Sequence, residues 1–109
     1  MEHPDKWIVV KINPLNDNEN THYRVFASYY GGYTGGDSWK LNSGIKSVEV
    51  VDNYFLFHGS SGSVYKCHKD CYGTSGYSYG VLQNMKENYK SISFTEMSSD
   101  TNWLELNYG

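Results

Sequence analysis

The chain has 109 residues, enough for one domain, taken here as residues 1–109. Aromatic residues make up 17% of it, with 11 tyrosines, which a disordered chain would lack. The formal net charge is −3 and Arg24 is the single arginine, with lysines scattered from 6 to 90, so duplex nucleic acid is not the expected ligand. A small anionic ligand needs only two or three donors and stays open.

Residues 6–12 (KWIVVKI) form a β-branched run, the expected first strand. Asn- and acid-rich residues 13–21 read as a loop, and 22–30 (HYRVFASYY) as a second strand with Tyr23, Val25 and Ala27 on one face. After a glycine turn at 31–37 come strands at 38–42 and 45–51, with Val48 and Val50 sharing a face. Asp52-Asn53 is a two-residue hairpin turn into 54–58, where Leu56 is expected in the core, and GSSG at 59–62 turns into 63–67. Residues 42–67 thus predict an antiparallel meander.

One helix is expected over 77–90. Tyr77, Val81, Leu82, Met85 and Tyr89 recur on one face, and Thr74 or Ser75 supplies the N-cap. Residues 92–97 and 103–107 suggest a terminal hairpin. The fold class expected is α+β: a mainly antiparallel sheet or half-barrel with one amphipathic helix packed on it. No apolar run reaches the roughly 18 residues of a membrane span. The N-terminus is too acidic and its apolar run too short for a signal peptide, so the expected location is the cytoplasm.

The segment 58–71 (HGSSGSVYKCHKDC) gathers both cysteines and two of the four histidines. His58, Cys67, His68 and Cys71 supply atom types that suit zinc, making a zinc protein or small enzyme the alternative reading. Against it, strand alternation sends Cys67 and His68 to opposite faces, and a second tight ligand pair is missing. No cofactor is otherwise implied. No Gly-x-Ser-x-Gly set lies in a strand–turn–helix and the phosphate-loop pattern is absent, so a catalytic set does not assemble and a non-catalytic protein is expected.

Aromatic loops point to binding. Tyr29, Tyr30, Tyr33 and Trp39 flank one turn, and Tyr65, Tyr72, Tyr77 and Tyr79 crowd another. Tyrosine gives rigid amphipathic contact area at low entropic cost. The ligand- or partner-binding set read from the sequence is Arg24, Tyr30, Trp39, Asn42, Tyr65 and Lys66. Within it, Trp39, Asn42 and Tyr65 are expected to line one cleft, with fixing of the turn at Ser43-Gly44 as the plainer role for Asn42.

Residues 28–45 (SYYGGYTGGDSWKLNSGI) and 57–73 (FHGSSGSVYKCHKDCYG) carry a Trp-x-Leu-Asn-Ser-Gly-Ile turn and a Gly-x-Ser-Gly-Ser-x-Tyr turn before Cys-His. In this pattern the chain resembles small accessory proteins encoded by tailed bacteriophages. The resemblance implies a host-cell setting and inhibition of a host enzyme or defence factor by binding. The target is either an occupied host protein or a sequestered nucleotide-like anion. It assigns no residue a role. A virion or assembly component, self-associating through a sheet edge, is the remaining reading.

Overall fold

A computed structural model describes residues 1–15, 20–32 and 35–108. Seven strands and one helix follow in the order β1 (Lys6–Pro14), β2 (His22–Tyr29), β3 (Ser38–Leu41), β4 (Ile45–Val51), β5 (Tyr54–Gly59), β6 (Val64–His68), α1 (Gly76–Asn88) and β7 (Ile92–Glu96). They make an α+β fold with two antiparallel sheets, β3-β2-β1-β7 and β4-β5-β6. The meander expected over 42–67 is the second sheet. Tyr33, one of the loop aromatics, lies outside the described residues.

β1 is apolar on both faces because both are covered. Trp7 and Val9 join Val25, Ala27, Ile45, Phe57, Tyr65, Cys67 and Trp103 in a core between the sheets. Ile8, Val10 and Ile12 join Phe26 and Leu82 under the helix. The layers are therefore helix, four-stranded sheet and three-stranded sheet. Each fully buried aliphatic or Phe side chain adds at most about 1.5–3 kcal/mol.

Trp7 is the hub of the inter-sheet core. Its ring lies 5.4 Å from Phe57, 4.8 Å from Tyr72 at 90° and 5.7 Å from Trp103, and its Nε1–H donates to the His68 carbonyl at 2.7 Å. Tyr72 completes the β1 edge beyond the last residue of β7, Glu96, which pairs with Val10. Its hydroxyl accepts from Val9 N at 3.2 Å and donates to the Met97 carbonyl at 2.6 Å. A buried N–H that would otherwise cost free energy is thereby satisfied. Burial pushes the Tyr72 phenol up to about 12.

Three expectations are corrected. Residues 103–107 form a turn, and β7 pairs with β1 in the register Val10↔Glu96 to Pro14↔Ile92. Trp103 is drawn between the sheets, while the Asn102 side chain accepts from Leu104 N at 3.2 Å and bends the chain locally. Leu56 pairs with Glu49 and Lys66 on the outer face of its sheet and is only half-buried; Phe57 holds the core position. On α1 the buried stripe is Ser78 and Leu82, flanked by Val81 and Met85, whereas Tyr77 and Tyr89 are more than half exposed. The N-cap is Ser75, whose hydroxyl accepts from Ser78 N at 3.1 Å.

The N-terminal residues close one sheet edge. Glu2 makes a parallel bridge to β6, donating to the Val64 carbonyl at 2.8 Å and accepting from Lys66 N at 2.9 Å. Its carboxylate takes bonds from Lys40 (3.0 Å) and the Tyr29 hydroxyl (2.8 Å), which hold its pKa below the ordinary 4.5.

Candidate functional site

β3 pairs only with Phe26–Tyr29, so the first half of β2 has no strand along that edge. Past Leu41 the chain leaves for the second sheet through Asn42, Ser43 and Gly44. Asn42 takes the place of a strand at this point. Its Oδ1 accepts from Val25 N at 2.8 Å and its own N–H donates to the Val25 carbonyl at 3.0 Å. Gly44 has φ 128°, a backbone shape costly for any side chain, and the His22 ring stands 3.8 Å from where a Cβ would be.

The crossover and the start of β2 then enclose an open cleft of about 660 Å³ whose walls include Thr21, His22, Arg24, Ser43, Lys46 and Ser60. The 59–62 turn braces the far wall. Ser60 N donates to the Gly44 carbonyl at 2.9 Å, Ser61 N to Ser43 Oγ at 3.0 Å, and Ser43 Oγ to Ser61 Oγ at 2.9 Å. Tyr108 completes the rim; its hydroxyl donates to the Trp103 carbonyl at 2.6 Å and burial pushes it up to about 12.

Charge and hydrogen bonding define what the cleft can hold. Arg24 Nε–H donates to His22 Nε2 at 2.9 Å, and His22 Nδ1 lies 2.7 Å from the Asn20 carbonyl. Guanidinium can only donate and a carbonyl can only accept, so His22 is the neutral Nδ1–H tautomer. This fixes the Arg24 side chain and occupies the ring nitrogen that would otherwise serve as a base. Among the described residues no carboxylate pairs with Arg24 or Lys46, and none lines the cleft. Arg24 and Lys46 are the two cations on this concave surface and are the donors an anion would meet there, because the hydroxyls of Thr21, Ser43, Ser60 and Tyr108 already donate within the protein.

The residues read from the sequence are scattered. Arg24 lines the cleft and Asn42 shapes it from a buried position. Tyr30 is exposed, its N–H bonded to Asp5 at 2.8 Å. Trp39 is half-buried on the helix side, stacked on Phe26 at 5.7 Å. Tyr65 is 5% exposed in the inter-sheet core, where burial raises its phenol pKa. Trp39 and Tyr65 therefore lie on opposite faces of β1–β2 and do not share a cleft, which corrects that expectation. Lys66 projects from the outer face, 4.5 Å over the Tyr54 ring. His22, Ser43, Gly44 and Lys46 were missed; the short strand ending at Asn-Ser-Gly was their only signal.

The Cys/His segment is also dispersed. Cys67 is buried between the sheets and its thiol is raised far above its ordinary value by desolvation. His68 and His58 lie on the opposite, outer face, against Tyr54 at 5.0 Å and Glu49 at 2.8 Å respectively. Both cysteines are free, and among the described residues no group of three or more His, Cys, Asp or Glu gathers as for a metal.

Fold and site together define a small α+β protein with an open cationic cleft. No family model, curated protein or solved structure matches the chain.

Proposed function

We propose that this protein is a binding protein that captures a small anionic ligand in the Arg24 cleft. The carrying observation is that, among the described residues, Arg24 and Lys46 have no carboxylate partner, in a chain of net charge −3. An anion beside them would gain a charge-assisted bond from the Arg24 guanidinium, which His22 already holds in place. In the phage setting that the sequence resemblance implies, capture would withdraw such a ligand from a host process.

Calorimetric titration with inorganic phosphate and pyrophosphate tests this. Replacing one charged donor costs about 1.5–3 kcal/mol, so Arg24→Gln should weaken binding roughly 10–100-fold. Lys46→Gln should weaken it less, because an ammonium on a flexible stem is less pre-organised. Unchanged affinity in Arg24→Gln would remove the proposal.

Occupation of a protein partner is the second reading, favoured by Tyr77 and Tyr79, each 52% exposed at the start of α1. Under that reading Tyr77→Ala with Tyr79→Ala abolishes capture of the partner from host lysate while phosphate binding is untouched.

A further inference from the structure

We infer that the anion captured at Arg24 is the phosphate of a nucleotide, whose base lies in an adjoining apolar hollow; this rests on the anion-binding reading above. Pro14, His22 and Arg24 line the cleft on one side and a second hollow of about 310 Å³ on the other. That hollow is walled by Leu41, Met85, Tyr89, Ile92 and Phe94, where the end of α1 overhangs the sheet. An inorganic anion gains nothing from such a surface. A ligand with a phosphate and a flat ring uses both compartments at once, with Arg24 at the junction.

Tyr89 and what lies beyond it distinguish a ring from an alkyl chain. Tyr89 is 55% exposed and meets Phe94 at 6.5 Å with an angle of 62°, so the tyrosine ring is open to a stacking partner. Met85 and Tyr89 also line a third hollow with Asn84 and Asn88. Asn88 Nδ2 donates to Asn84 Oδ1, which leaves the Asn84 amide N–H groups and the Asn88 amide oxygen to read a ring edge. An alkyl chain laid here would dehydrate those amides without replacing their hydrogen bonds. A base with donors and acceptors on its rim replaces them.

Calorimetry on the full chain with inorganic phosphate, ribose 5-phosphate, hexyl phosphate, AMP, GMP, CMP and UMP tests the inference. The best nucleotide should bind about tenfold or more tighter than ribose 5-phosphate, the gain expected from stacking one base. Tyr89→Ala should abolish that gain and leave phosphate affinity unchanged, while Tyr89→Phe should retain it. Tyr89 is mostly exposed, so the variant should fold. If phosphate binds but no nucleotide exceeds ribose 5-phosphate, or hexyl phosphate matches the best nucleotide, the nucleotide inference falls and the anion reading stands. If neither phosphate nor any phosphate ester binds, both fall.

Discussion

Asn42→Ala removes one buried side-chain amide, and the structure sets what that should cost. Asn42 is 2% exposed and its Oδ1 is the partner of Val25 N–H at 2.8 Å. Its Nδ2 has no hydrogen-bond partner, so losing it costs little and the penalty falls on the stranded Val25 N–H. A buried donor left without an acceptor costs roughly 1–3 kcal/mol. At about 4 °C per kcal/mol for a domain near this length, Tm should fall by roughly 4–12 °C. Urea unfolding should show a lower midpoint at unchanged slope, which marks lost native stability without a change in the surface exposed. Asn42→Asp keeps the acceptor but buries a carboxylate whose folded-state pKa must rise. Its stability is full below the unfolded pKa of about 3.9 and is lost as pH rises, so it should fare worse at pH 7 than at pH 4. A melt of Asn42→Ala within about 1 °C of wild type would refute the role of Asn42 as a substitute strand partner.

Phe57→Ala should cost roughly 3–5 kcal/mol, since it empties a fully buried site beside Trp7, and Leu56→Ala on the outer face only about 1 kcal/mol; the reverse order in urea titrations would overturn the assignment of faces. Alkaline pH should destabilise the fold. Cys67, with an ordinary pKa of 9.0, and Tyr29, Tyr65, Tyr72 and Tyr108, ordinarily 10.0, are held protonated chiefly by burial. The unfolded chain ionises first, so stability is full below pH 9 and declines as pH rises, with Tyr72 and Tyr108 carrying the loss to about pH 12. A urea midpoint equal at pH 8 and pH 11 would contradict this. On the acid side, Glu2 has a lowered pKa, so its contribution is present above pH 4.5 and lost as pH falls through the folded value. Glu2→Gln should therefore melt below wild type at pH 6 and converge with it near pH 3, and a constant gap would count against the Lys40 and Tyr29 contacts.

Strand positions were legible because alternation and turn residues carry them locally. The meander over 42–67, the Asp52-Asn53 turn and a helix cap at Thr74 or Ser75 are all readable from a few consecutive residues, and the structure places the cap at Ser75. Pairing over distance was not. WLELN has the composition of a strand, yet Trp103 is worth more as a plug between two sheets than as a strand residue. Tyr65 read as an interface aromatic, but its strand faces inward at that position and Phe57 is its cross-strand partner. Arg24 stood out as the only arginine. The cleft around it was hidden because its walls come from β2, the 42–46 crossover and the 59–62 turn, which meet only once both sheets have formed. Exposed Tyr89 looked like part of a packed helix face, because periodicity reports which residues align and not how deep the helix sits.

The most direct test of the Arg24 cleft is a two-dimensional amide NMR titration of the ¹⁵N-labelled chain with sodium phosphate at constant ionic strength. Binding at this site predicts saturable shifts confined to the amides of His22–Arg24, Ser43–Lys46 and Ser60, which disappear in Arg24→Gln. Shifts centred instead on the outer face at Tyr54 and Lys66, or a linear drift without saturation, would contradict it.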